Sequence, residues 1–176
     1  MKPILMIHEF KKEFLDLPLE NYTLTFDDGL YTQYLFINEL RKIKTDKFFF
    51  ISSNIVCSED TNQDETFINS IDAHKKAFNG IYTNYMKWSQ IKEIDSYDRC
   101  NIGCHSHFHS FKTADCVECI ILDNRRMIDK FEKEINYLPK NFCFPYNYET
   151  PLYREILTKK GFTNFFGKGR IDIIDL

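Results

Sequence analysis

Tyr22-Thr23-Leu24-Thr25-Phe26-Asp27-Asp28-Gly29 decides how this chain is read. Its first half is rich in aromatic and β-branched residues and reads as a strand. Asp-Gly favours positive φ, so a hairpin turn would suit it, but a hairpin needs another strand at once. Instead, the stretch from Tyr31 to Lys44 places Phe36, Leu40 and Ile43 at helical spacing, with Tyr34 and Ile37 beside them. Two adjacent carboxylates therefore sit where a strand hands over to a helix.

Working outward, Ile4 to Ile7 is an apolar run of strand length with His8-Glu9 at its C-terminal end. It is too short for a signal peptide or a membrane span, and no other stretch approaches spanning length. Lys47-Phe48-Phe49-Phe50-Ile51 is a continuous apolar strand, as expected of a parallel strand buried on both faces. Cys57 to Gly80 is polar and weakly periodic, an excursion with a short helix in which His74 reads as a solvated surface residue. Met86 to Ile94 is a helix with Ser89 as N-cap and Trp88, Ile91 and Ile94 on one face. Asn101 to Cys104 is a short strand entering His105-Ser106-His107-Phe108-His109.

Ile121 to Tyr137 is the clearest helix, with Ile128, Phe131, Ile135 and Leu138 on one face. Asn141 to Phe144 is a strand ending at Pro145-Tyr146, and the next helix has Thr150 as N-cap, Pro151 in its first turn and Gly161 past its end. Phe162 to Phe166 and Ile171 to Ile174 are the last apolar stretches. Strands alternating with helices imply βα units and a mainly parallel sheet, whose chemistry gathers at the C-terminal strand ends. Asp27, Asp28, His105, His109, Tyr146 and His8 all fall there.

The 176 residues suit a single domain spanning 1–176. A net charge of −3 with scattered Lys and Arg excludes a general nucleic-acid binder. With no secretion signal, the six cysteines are expected to be reduced thiols in a cytoplasmic protein. Cys116-Val117-Glu118-Cys119 lacks the second pair that a structural zinc knuckle needs.

His105 and His109, four apart, can aim two imidazoles at one ion, and three of the chain's five histidines lie within this run. With one carboxylate they make the three protein ligands of an open metal site, which keeps a position for water or substrate. Zinc is the default divalent ion for this set. The second carboxylate can serve as general base, and spacing alone leaves open which Asp does which. His107 is expected to face away, in a packing or supporting role.

Thr25-Phe26-Asp27-Asp28-Gly29, then Gly103-x-His105-Ser106-x-x-His109, then an apolar strand ending in Pro145-Tyr146, resembles the polysaccharide deacetylases, the NodB-homology domains of carbohydrate esterase family 4. The resemblance runs from about residue 20 to 165, and the helix carrying Trp88 shares it. It implies an α/β fold, a distorted (β/α) barrel, and metal-dependent hydrolysis of an acetamido group on a sugar. By the family's pattern Asp27 is the base, Asp28, His105 and His109 bind the metal, and the backbone N–H of Tyr146 helps hold the oxyanion. Two departures stand out. Where the family often carries an Arg that steadies the base, this chain has Cys143, and no histidine follows His109 to act as the late general acid. Ending on Ile171-Asp172-Ile173-Ile174 fits a short or truncated, incomplete barrel. His8 is a candidate substitute acid, although a hydrogen-bonded rim histidine is the plainer reading, and Arg170 is a candidate for the missing Arg. The expectation is a metal-dependent, most simply zinc-dependent, deacetylase whose partner is an N-acetylated amino sugar. A weakened member that binds carbohydrate without hydrolysis, or a hydrolase of a non-sugar amide, are the alternatives.

Overall fold

A computed structural model of the protein describes residues 2–176. The chain runs β1 (Ile4–Ile7), β2 (Thr23–Phe26), α1 (Tyr31–Leu35), α2 (Ile37–Leu40), β3 (Lys47–Ile51), α3 (Ser70–Phe78), α4 (Trp88–Asp95), β4 (Cys100–Cys104), α5 (Val117–Ile135), β5 (Asn141–Cys143), α6 (Pro151–Lys159), β6 (Asn164–Phe166) and β7 (Ile171–Asp172). All pairings among these strands are parallel, in the order β6-β5-β4-β3-β2-β1-β7.

The sheet has to curl. Six interstrand steps of about 4.8 Å would set the edge strands roughly 29 Å apart if the sheet lay flat. Only residues 167–170 join β6 at one edge to β7 at the other, and a chain of that length reaches at most about 17 Å. Ring contacts across the concave side agree: Phe166 of β6 lies 4.9 Å from Phe48 and 5.0 Å from Phe50, both on β3. Gly103 of β4 makes room for this, since a Cβ there would come within 2.5 Å of the Phe50 ring. The result is a curled half-barrel with β6 and β7 as its edges, matching the expected distorted, incomplete (β/α) barrel.

Helices pack the convex side. α5 buries Ile120, Met127, Phe131 and Ile135 in the main core with Phe26, Phe49, Ile102 and Phe142 from the sheet. α6 begins as expected, with the Thr150 side chain accepting from the Tyr153 N–H and Pro151 in the first turn. Two local expectations need correction. The helix foreseen from Tyr31 to Lys44 breaks into α1 and α2 at Phe36, whose ψ of 16° leaves the helical range. Ser89 is not the N-cap of α4. Lys87 holds that position, and the Ser89 N–H and hydroxyl both donate to Glu59, which leaves Ser89 inside the first turn.

All six cysteines are free thiols. Cys116 caps α5, its sulfur accepting from the Cys119 N–H, so the CxxC pair is helix punctuation. Among the described residues, no helix is long and apolar enough to cross a membrane.

Candidate active site

The carboxylate pair sits where β2 ends. Asp28 and Gly29 both take the left-handed conformation, φ 71° and 75°. The Asp-Gly dipeptide thus does what a tight turn requires, yet the chain continues into α1. Glycine is needed at 29 because of both its φ and the 3.0 Å that would separate a Cβ from Ile51 Cδ1. Gln33, fully buried on α1, donates from Nε2 to the carbonyls of both Asp27 and His8 at 2.6 Å, tying the ends of β1 and β2 together. Nothing in the local sequence marks Gln33 for this.

The histidine run leaves β4 as a curled loop, with Ser106 and His109 at positive φ of 63° and 50°. Two buried groups hold it. Ser106 Oγ accepts from the His109 N–H at 2.9 Å, and Asp123 on α5 accepts from the N–H groups of His107 and Phe108, both at 2.9 Å. Asp123 occupies a core-facing position of α5, where its carboxylate satisfies the loop's backbone donors.

These two segments meet at Asp28. Its Oδ1 lies 3.3 Å from His105 Nε2 and 3.0 Å from His109 Nε2, and the two imidazole nitrogens are 3.2 Å apart. A tetrahedral ion with ligands near 2.0–2.1 Å would hold neighbouring ligand atoms about 3.3 Å from one another. The spacing of the three atoms fits that requirement. His105 Nδ1 is 2.9 Å from the Cys143 carbonyl, which can only accept, so Nδ1 carries a proton and Nε2 is the atom turned to Asp28. Burial would lower the His105 imidazole, but Cys143 and then Asp28 bring it well above its ordinary value, so a bound cation would have to displace a proton from Nε2. Burial holds His109 below the ordinary imidazole value, favouring the neutral form a metal ligand needs. Burial alone would raise the Asp28 carboxyl, but His109, His105 and His74 bring it well below its usual value. Among the described residues no Lys or Arg pairs with Asp28, and its Oδ1 makes no hydrogen bond although it is buried. A divalent cation fits such a group.

Asp27 has a different environment. Arg170, from the link into β7, grips it with two parallel bonds, Nη1 to Oδ1 at 2.7 Å and Nη2 to Oδ2 at 2.8 Å. The same guanidinium donates to Thr25 Oγ1 and Asn147 Oδ1, and its side chain is only 3% exposed. Burial would raise the Asp27 carboxyl; Arg170 first, then His105 and His8, bring it below its usual value. The arginine missing at position 143 is thus supplied from residue 170. Cys143 stays beside Asp27, its thiol 3.5 Å from Oδ2 and pushed up by burial, so it is a neutral donor.

Tyr146 follows Pro145 in a left-handed turn, φ 57°, and its hydroxyl donates to the His109 carbonyl at 3.3 Å. His107 turns away, its Nδ1 2.8 Å from Ser53 Oγ, and burial with Arg126 and Lys130 lowers it to about 4. His8 stands just past β1, half-buried, near enough for its charge to be felt at Asp27, but among the described residues its side chain makes no hydrogen bond to either aspartate. One expectation is overturned. His74 is not a solvated surface residue: its Nε2 is 3.0 Å from Asp28 Oδ2, and its ring stacks on His109 at 4.4 Å. His74, His109 and Tyr146 line a cavity of 330 Å³.

The family model described as polysaccharide deacetylase matches residues 17–165, and the chain belongs to that family. Among solved structures, it is similar to IcaB from Ammonifex degensii, 20% identical over 97% of this chain and 84% of that one, with a TM-score of 0.69. It is similar also to the BpsB deacetylase domain from Bordetella bronchiseptica, 11% identical over 97% and 94%, TM-score 0.65. A third is the deacetylase PplD of Streptococcus pyogenes in complex with acetate, 14% identical over 92% and 80%, TM-score 0.61. These likenesses establish the fold. No curated protein matches the sequence.

Proposed function

We propose that this protein hydrolyses the acetamido group of an N-acetylated amino sugar, releasing acetate, with a divalent ion held by Asp28, His105 and His109. The observation that carries this is the triangle of Asp28 Oδ1, His105 Nε2 and His109 Nε2, with sides of 3.0 to 3.3 Å, in a polysaccharide deacetylase fold. The family and the acetate bound to PplD support an acetylated carbohydrate as substrate. Aromatic rings support it too: Phe111 and Tyr148 stack at 5.0 Å, beside the exposed Tyr146.

The environments of the two carboxylates support a division of labour. A second cation at Asp27 would sit against the fixed charge of Arg170, whereas Asp28 faces only imidazoles. The ion therefore belongs to Asp28 and the base to Asp27. When bound, the ion polarises the amide carbonyl and lowers the pKa of water; zinc suits the ligand set. Asp27, kept ionised by Arg170, accepts a proton from the attacking water, whose oxygen forms the new bond to the acetyl carbon. By the family's pattern the Tyr146 backbone N–H would donate to the developing oxyanion, a role often worth about 3 kcal/mol. The C–N bond then breaks, the sugar nitrogen takes up a proton, and acetate leaves.

His8 is our candidate for delivering that proton. His8→Ala should lower turnover about 10²-fold with the acid limb of the pH profile preserved; turnover equal to wild type would remove His8 from the mechanism.

The reading as a whole is tested by acetate release from N-acetylglucosamine oligomers, measured before chelation, after it, and after zinc is restored. Loss and recovery of release is the expected result. Sugar binding without acetate release under any metal would favour a non-hydrolytic member, and release from simple amides alone would favour a non-sugar substrate.

A further inference from the structure

Helix α3 belongs to the polar excursion after β3 and lies outside the βα units that carry the other site residues. Its N-terminus is tied down by Asn69, whose side chain accepts from the Asp72 N–H, and by Glu9, which accepts from the Ser70 N–H. Ala73 and Ala77 bury one face against Leu30, Ile55 and Tyr85. That anchorage places His74 against Asp28.

We infer that His74 is a fourth protein ligand of the metal centre, adding a third imidazole to Asp28, His105 and His109. The inference rests on the proposed metal site and adds to it a residue from a separate element.

Three observations carry it. His74 Nε2 is 3.0 Å from Asp28 Oδ2, on the opposite oxygen from the one facing His105 and His109. Despite that distance, this buried nitrogen has no partner in hydrogen-bond geometry, so its lone pair or proton is not spent on the carboxylate. The ring lies parallel to that of His109, 15° apart with centroids at 4.4 Å, and one ligand atom from each of Asp28, His74 and His109 falls within 4.8 Å of the others. Nδ1 is 3.3 Å from the Tyr85 hydroxyl. With the ring proton on Nδ1 and shared with Tyr85 Oη, Nε2 is free to coordinate.

A set of three imidazoles and one carboxylate leaves room for a water or substrate oxygen only if the ion expands to five-coordination, which catalytic zinc sites do reach. The fourth ligand should therefore be visible in the ion itself, independently of turnover.

Cobalt(II) replaces zinc in the purified protein, and its d–d absorption is compared for wild type, His74→Ala, His74→Gln and His105→Ala, with zinc affinity measured by competition against a chromophoric chelator. Five-coordinate bands in wild type are expected, changing to the more intense bands of a four-coordinate ion in both His74 variants, with zinc affinity about 10–100-fold weaker. Two variants guard against misfolding of one. An unchanged cobalt spectrum in both overturns the inference. This holds even if affinity falls, because His74 would then act only through its close approach to Asp28. Failure of the metal reading itself looks different: cobalt would not bind wild type, or His105→Ala would bind it as wild type does.

Discussion

Asp27→Asn is expected to lower kcat for acetate release by about 10²–10⁴-fold, the usual worth of a positioned general base, and to leave one divalent ion per chain. The two halves of that result are tied to different atoms. Asparagine keeps the shape of the side chain but cannot take up a proton, and Asp27 contributes nothing to the triangle around Asp28 Oδ1. His105→Ala should do the reverse at the first step, losing the ion and with it the activity. Metal analysis beside single-turnover acetate release reads both. If Asp27→Asn lost the ion with the activity, the assignment of the two carboxylates would be inverted. The substitution also leaves the guanidinium of Arg170 with neutral acceptors only, Thr25, Asn147 and the Gly167 carbonyl, so rates are compared per folded molecule.

Arg170→Met is expected to cost about 3–5 kcal/mol of stability, because it strands a buried carboxylate without its partner. Both members of the pair are 3% exposed, so water does little to compensate. The pH dependence follows from the direction of the Asp27 shift. Arg170 holds the carboxyl below its unfolded value, so the pair's contribution is complete above that unfolded value and is lost as pH falls through the lower folded one. In the variant burial is opposed only by His105 and His8, without the largest lowering influence, and the carboxyl rises. A carboxyl raised in the folded state favours its protonated form, so the variant's loss of stability is smallest at low pH and grows as pH rises through the raised value, while the acid limb of kcat moves upward. Chemical denaturation at several pH values, with a pH–rate profile, measures both. Arg170→Lys should restore part of the charge but not the two parallel bonds. A variant as stable as wild type with an unmoved acid limb would show that Asp27 does not depend on Arg170.

Much of this site is legible in the sequence because its parts announce themselves locally. The apolar runs at Ile4–Ile7 and Lys47–Ile51 are the observed strands, and Thr150-Pro151 starts α6 as capping rules require. The passage from Thr25-Phe26 into Asp27-Asp28-Gly29 carries both a strand signal and a turn signal. His105 and His109 share one five-residue run, so one segment suffices to foresee that they converge.

What the sequence hides depends on contacts between distant segments. His74 sits in a stretch with weak periodicity and no second ligand nearby, and only the anchoring of α3 at Glu9 and on Leu30, Ile55 and Tyr85 brings it to Asp28. Arg170 is separated from Asp27 by 143 positions. It is recognisable as a partner only because Cys143 leaves a place for an arginine and because a four-residue link carries the chain from β6 to β7, beside β1. Asp123 reads as a polar interruption of an apolar helix face until the loop it holds is seen. Ser89 fails as an N-cap for a similar reason, since Glu59, thirty positions away, claims its donors.

The most direct test is the anomalous scattering of zinc-soaked crystals measured on either side of the zinc absorption edge. One peak within bonding distance of Asp28 Oδ1, His105 Nε2 and His109 Nε2 is the predicted result. A peak seated instead among Asp27, His105 and Cys143, whose potential ligand atoms also lie within 4.8 Å of one another, or no peak at Asp28 at saturating zinc, would contradict the account.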